Sequence, residues 1–317
     1  MTRTAFATME ALKVSLATQT PGPMPNSLRH TLFAVVSILC VAAAAPTAGG
    51  QVSPNVRGKL TVPDSAHMQI LTLGDGSTIF GRIVAVNGDT VTFQSQAGSM
   101  QLATSRISQI KEIQSTDVHQ GDYWFPNPNS TRLFFAPSAQ MLKRGEGYFS
   151  DYELFFPGVA YGVTDNVSIG GGVSILPAGV EDQAYYVTPK IGFSPSDEVH
   201  LAAGVLFAGT RGGTGGVYYG VGTFGDDNAS VTLGGGYGFA GGEIQSKPVG
   251  MIGGEYRFAP RVAVVTENYL LPISENNLLY SFGFRFMGEK MTTDLALVNV
   301  SGSSIIGVPY VDFVFRF

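Results

Sequence analysis

Residues 307–317 read GVPYVDFVFRF and put Pro309, Val311, Phe313, Phe315 and Phe317 on alternate positions, with Val308, Tyr310, Asp312, Val314 and Arg316 between them. Strict alternation is the period of a β-strand, because successive side chains point to opposite faces. One face of this strand is therefore apolar and aromatic, and the other is mixed polar. A soluble sandwich would turn the aromatic face into its core, so the reading depends on whether the pattern recurs.

It recurs from Gly147 onward. In VSIGGGVSI, Val167, Ile169, Val173 and Ile175 oppose Ser168, Gly170, Gly172 and Ser174. In YYVTPKIGF, Tyr185, Val187, Ile191 and Phe193 oppose Tyr186, Thr188, Lys190 and Gly192. SVTLGGGYGF and LLYSFGFRF repeat the scheme, with Val231, Leu233, Tyr237, Phe239, Phe282, Phe284 and Phe286 on the apolar side. The opposite face is small and sometimes charged. Short spacers fall near 164–166, 195–198, 226–228, 259–260 and 288–290, and Gly- or Pro-rich connections that read as longer fall near 176–184, 209–216, 240–248, 271–277 and 299–306.

This count gives eleven strands after Gly147, and TRLFFAPSA (131–139) supplies a twelfth. Tyr152, Leu154 and Phe156 share a parity that Val159, Tyr161 and Val163 do not, which predicts a β-bulge at Pro157-Gly158. The fold class expected is all-β: an antiparallel up-and-down transmembrane β-barrel of about 12 strands, preceded by a small five-stranded β domain. Residues 131–317 resemble bacterial outer-membrane β-barrel proteins as a class. That resemblance implies outer-membrane lipid around the apolar face, short turns in the periplasm, and a terminal signal at Phe313, Phe315 and Phe317 read by the barrel assembly machinery.

Composition agrees. The chain has 41 glycines, 21 Phe, 13 Tyr, 14% charged residues and a mean hydropathy of +0.16. A net charge of −5 offers no basic field for nucleic acid.

Residues 1–50 read as an upstream extension and a secretory signal peptide: Arg29 and His30, an apolar run from Leu32 to Ala45, then small residues, with cleavage after Ala44 or Gly50. Cys40, the only cysteine, falls inside that run, so the mature chain has no thiol chemistry. Residues 51–115 form the small domain, with hairpin turns at Asp75-Gly76, Asn87-Gly88 and Ala97-Gly98 and five short strands between Gln69 and Ile113. DGSTIFGRIVAVNGDTVTF resembles Sm-like or SH3-like barrels, which implies a periplasmic module that binds a protein or envelope partner through residues 69–113. Residues 116–130 read as a linker, whose Tyr123, Trp124 and Phe125 either anchor at a membrane interface or pack against a neighbour.

With the aromatic face toward lipid, the other face lines the lumen. Ten glycines, at 170, 172, 192, 204, 220, 222, 234, 236, 238 and 283, are expected there; they leave room or lie under aromatic neighbours. Lys190, Glu255, Arg257, Arg285, Asp294, Asp312 and Arg316 fall in the half nearer the short turns. These four cations and three anions form either a charged constriction that selects solutes or mutually neutralising pairs that close the interior.

Catalysis is not expected. His200, the only barrel histidine, sits beside a short turn, and Glu267 with Tyr269 is a polar pair with no evident third partner. No metal-ligand or cofactor motif occurs. Two functions remain: a passive channel for small hydrophilic solutes, or a closed barrel that anchors the small β domain in the periplasm.

Overall fold

The computed structural model describes residues 56, 60–119, 122–177, 179, 183–271, 278–302 and 307–317. The signal peptide, its cleavage positions and Cys40 lie outside them.

Five strands, β1 His67–Leu73, β2 Thr78–Asn87, β3 Thr90–Ser95, β4 Gly98–Ala103 and β5 Ile107–Gln114, form an antiparallel sheet in the order β4-β3-β2-β1-β5. Alternation puts Leu71, Ile83, Val91, Phe93 and Ile107 at zero exposure in one core. The buried Gln69 is satisfied within it, donating to the Thr61 carbonyl (3.0 Å) and accepting the Ile83 N–H (3.0 Å). A two-stranded ribbon, β6 Val118–His119 and β7 Asp122–Tyr123, leads onward.

Twelve further strands close into a barrel. They are β8 Gly147–Tyr152, β9 Phe156–Thr164, β10 Val167–Val173, β11 Tyr185–Ser196, β12 Val199–Thr210 and β13 Gly213–Gly225, then β14 Ala229–Ala240, β15 Glu243–Ala259, β16 Val262–Leu270, β17 Leu278–Met287, β18 Met291–Val300 and β19 Val308–Arg316. Each pairs antiparallel with its sequence neighbours, and β19 closes on β8 from Asp312↔Tyr152 to Arg316↔Tyr148. Among the described residues no helix is long and apolar enough to span a membrane. A closed antiparallel wall satisfies its own backbone groups and needs none.

The alternation holds strand by strand. On β17, Phe282, Phe284 and Phe286 point outward and are exposed, while Ser281, Gly283 and Arg285 are buried inward. Exposed rings gather in two girdles, with Phe193, Phe224, Tyr256 and Phe286 near the short turns and Tyr185, Tyr218 and Tyr280 toward the other end. Tyr185, Phe207, Phe239 and Tyr218 touch in series in the second girdle. Tyr185 and Phe193 lie eight residues apart on β11 (193 − 185), about 26 Å along a strand and roughly 20 Å once tilted. That is close to the height of about 25 Å of an apolar band in a membrane barrel.

Four expectations change. The stretch 131–139 is not a strand of the wall; the twelfth strand is β8, and 131–139 lies inside the barrel. No register shift occurs at Pro157-Gly158, because β8 pairs with β9 without interruption from Gly147↔Tyr161 to Tyr152↔Phe156. The parity change comes instead from a three-residue turn, 153–155, in which Glu153 and Leu154 adopt φ of 55° and 64°. The connections near 209–216 and 240–248 are tighter than read: β12 and β13 are joined by Arg211-Gly212, and β14 and β15 by Gly241-Gly242, where φ values of 59° and 89° suit glycine. Finally, Gly220 and Gly222 face outward, since Val221 and Thr223, which alternate with them, are the buried residues.

Candidate functional site

Residues 125–142 fill half of the lumen. The segment enters from the end that carries the short turns, here the near end, where Phe125 packs against Ala263 and Met287. It rises to a tight reversal at 132–137, held by the Leu133 N–H to the Ala136 carbonyl (2.9 Å) and the Ser138 N–H to the Thr131 carbonyl (3.0 Å). Leu133 and Phe134 pack there against Val265, Ala296 and Tyr310. The chain then descends past Ala139, against Ala202 and Val221, and leaves at Leu142, against Tyr148 and Val314. Pro126 and Pro128, with the run of Asn and Ser around them, suit a segment that forms neither helix nor ladder. Each of the twelve strands has an inward position covered by this plug, from Tyr148 on β8 to Asp312 on β19.

The plug is held through its polar backbone. Arg285, with no exposed surface, donates through Nε and Nη2 to Asp294 (2.8 Å each), through Nη1 to Glu255 (2.6 Å), and to the carbonyls of Asn129 (3.0 Å) and Leu133 (2.8 Å). Asp312 receives Arg132 of the plug at 2.5 Å. Lys190 has no carboxylate beside it; its Nζ donates to the plug carbonyls of Gln140 (2.8 Å), Ser138 (3.1 Å) and Thr131 (3.3 Å). Arg257 donates to the Phe125 and Pro260 carbonyls (2.7 and 2.5 Å), and Glu255 also accepts from the Asn127 side chain (2.9 Å). Arg316 reaches Glu146 (2.6 Å) and the Asn127 carbonyl (3.4 Å).

All seven lumen charges read from the sequence therefore face inward at the level of the plug. Six touch the plug itself, and Asp294 acts on it through Arg285. They pair with one another and with plug backbone and do not stand around an open constriction.

Glu267 is the strongest clamp that sequence reasoning left without a role. Its Oε2 accepts the consecutive N–H groups of Phe134, Phe135 and Ala136 (2.8, 3.0 and 3.0 Å), and its Oε1 accepts the Tyr269 hydroxyl (2.7 Å). Three backbone donors and one hydroxyl satisfy a buried carboxylate without a cation. Thr223 also escaped the sequence reading; its hydroxyl accepts the Ala139 N–H (2.8 Å) and bonds Thr232 (2.8 Å). A signal was present in both cases, a polar residue at an inward position of an apolar-looking strand. Some inward glycines do sit under aromatic side chains: a Cβ at Gly158 would meet the Tyr186 hydroxyl at 2.0 Å, and one at Gly204 the Tyr219 hydroxyl at 2.4 Å.

The small sheet is latched to the near end. Lys111 of β5 pairs with Glu289 in the β17–β18 turn and lies 4.9 Å from the Tyr123 ring. Tyr123 touches Phe80 of β2 (6.5 Å) and Phe125 of the plug (6.1 Å). The Arg257 guanidinium lies 5.1 Å from the Trp124 ring and 4.8 Å from that of Phe125. The aromatic trio thus packs between the small sheet and the plug. In the turn below, burial raises the pKa of Asp227, partly offset by the Asn127 N–H it accepts.

His200 bonds Ser194 (2.6 Å) at the near end, both on the inward parity of their strands, and among the described residues no group of His, Cys, Asp and Glu has the makings of a metal site. Phe313 and Phe315 lie on the outward parity of β19 at the near end and Phe317 follows its last residue, Phe315 and Phe317 being exposed.

No family model and no curated protein matches this sequence. Among solved structures, the chain is similar to a KdgM porin in complex with disordered oligogalacturonate (11% identity, 54% of this chain, 98% of the porin, TM-score 0.43). It is similar also to the NanC porin (9%, 54% and 97%, 0.35) and to the outer membrane protein Omp33 of Acinetobacter baumannii (9%, 54% and 96%, 0.36). At these scores the likeness carries no argument, and the assignment stands on strand pairing, girdles and lipid-facing alternation. The chain folds as a closed, antiparallel transmembrane β-barrel of twelve strands, with a five-stranded sheet before it and a plug between the two.

Proposed function

We propose that this protein is a channel for small hydrophilic solutes, closed in the described conformation by residues 125–142 on the periplasmic side. One observation carries the reading: the wall under the plug is polar. Buried charge pairs add little stability over apolar filling, whereas a polar wall is one that water can wet, as in barrels that conduct. Here the covered positions include Lys190, Glu255, Thr223, Thr232, Arg285 and Asp312, groups that water rehydrates once the plug withdraws. The mixed charges then line the path and bias ion passage, with the near end and its sheet in the periplasm and the Phe313, Phe315 and Phe317 edge presented to the assembly machinery.

The test is single-channel conductance in planar bilayers of the full chain and of an Ala139→Cys/Thr223→Cys pair, whose positions are joined by the 2.8 Å bond above. Steps that vanish on oxidation and return on reduction are expected. Silence from a folded, inserted protein, also with Lys190→Met and Arg132→Ala loosening the plug, would overturn the channel. The latch of Lys111, Tyr123 and Phe125 favours a second reading, a sealed barrel that holds the small β domain for a periplasmic partner, and silence would leave that one standing.

A further inference from the structure

The half of the lumen beyond the plug exposes aliphatic side chains among glycines and the hydroxyls of Tyr186 and Thr188. Its inward positions include Leu206, Val217, Leu279, Val300 and Val308, of which Leu206, Val300 and Val308 are 40%, 38% and 64% exposed. The floor of this cup is Phe135 at the tip of the plug, 49% exposed, stacked on Tyr152 (6.0 Å, 9°) and against Tyr310 (4.6 Å). An aliphatic wall with an aromatic floor is costly to keep filled with water alone, and concave apolar sites of this kind take small ligands.

The cup also has a side entrance. β8 and β9 are 6 and 9 residues long, against 12 and 13 in β12 and β13. The turn of their hairpin reaches β19 through the Glu153 N–H to the Val311 carbonyl (2.9 Å). Beyond that point Val308, Pro309 and Tyr310 pair, among the described residues, with β18 only. The wall is therefore notched on this side, and Leu154 and Phe155 on the lip are exposed (53% and 43%). Tyr152, the last residue of β8, brings Phe135 to the level of the notch. Asp151 and Glu153 place two carboxylates at the same lip.

We propose that the cup and its notch form a binding site for a single-chain amphiphile with an uncharged or cationic head group, exchanged laterally with the outer leaflet. The closed wall excludes a folded protein, the aliphatic lining accepts a hydrocarbon chain, and the acidic lip disfavours an anionic head. The site is that of the barrel with its plug seated and asks for no movement of the plug, so its failure and that of the channel are separate results.

The test uses the full chain in lipid vesicles with Phe135→Trp as reporter and Trp124, the one native tryptophan, changed to Phe. Saturable quenching by 10-bromodecan-1-ol, none by 2-bromoethanol at equal bromine, and at least tenfold weaker quenching with Leu206→Asn/Val308→Asn are expected. Quenching that never saturates, that the double variant leaves unchanged, or that is as tight with 10-bromodecanoate overturns the proposal. Should the reporter fail to fold, native mass spectrometry of the unmodified chain decides: retention of decyltrimethylammonium that falls with Leu206→Asn/Val308→Asn supports the site, and equal retention overturns it.

Discussion

The two halves of one lumen invert the usual arrangement. Toward the short turns the wall is charged and hydroxylated yet dry, because a backbone hairpin occupies it and uses its donors and acceptors. Toward the other end aliphatic side chains such as Leu206, Val300 and Val308 stand exposed among glycines and the hydroxyls of Tyr186 and Thr188. Burial and polarity are decoupled because the filling material is main chain, whose N–H and C=O groups call for polar partners, whereas the empty half has nothing to satisfy.

The largest effect expected from breaking this contrast is at Arg285. Arg285→Ala leaves Asp294 and Glu255 buried with no cation between them, and a cost of about 3–5 kcal/mol follows from removing one partner of a buried pair. Urea unfolding in vesicles, followed by heat-dependent gel mobility, would read it; a loss under about 1 kcal/mol would mean that water already reaches the cluster. Next is Thr223→Val, which keeps volume but orphans the Ala139 N–H, at about 1–3 kcal/mol. Equal stability would place the plug's descending arm away from β13.

Glu289→Lys should leave barrel stability within about 1 kcal/mol, as surface pairs do, while releasing the small sheet. Limited proteolysis in residues 118–124 should quicken, and Lys111→Glu in the same chain should slow it again. Unchanged cleavage would mean that the aromatic trio alone holds the domain. Smallest of all, Val308→Ser in the open half should shift stability by no more than about 0.5 kcal/mol; a larger loss would show the cup to be packed.

Alternation made the wall legible, down to the inward parity of Lys190, Arg285 and Asp312, because a period of two survives without knowledge of partners. Tyr123, Trp124 and Phe125 were legible as a choice between interface and packing, and they pack. The plug was not legible as such. TRLFFAPSA has the apolar weight of a strand, and contacts distant in sequence, to Lys190, Thr223, Glu267 and Arg285, draw it inside. The same blindness left a charged constriction and neutralising pairs as open alternatives, since sequence shows which wall positions are polar but not what stands between them. At 153–155 a tight turn with two left-handed residues, neither of them glycine, hid as a bulge.

Phe125 and Leu142 lie at the same mouth of the barrel, so the plug enters and leaves without passing through the ring of strands. In topological terms it is an unthreaded loop. It can seat itself after the first and last strands have joined, and withdraw again, with no ladder opened and no chain end pulled through. Assembly and the proposed withdrawal of the plug therefore follow the same route, and each clamp that slows one slows the other.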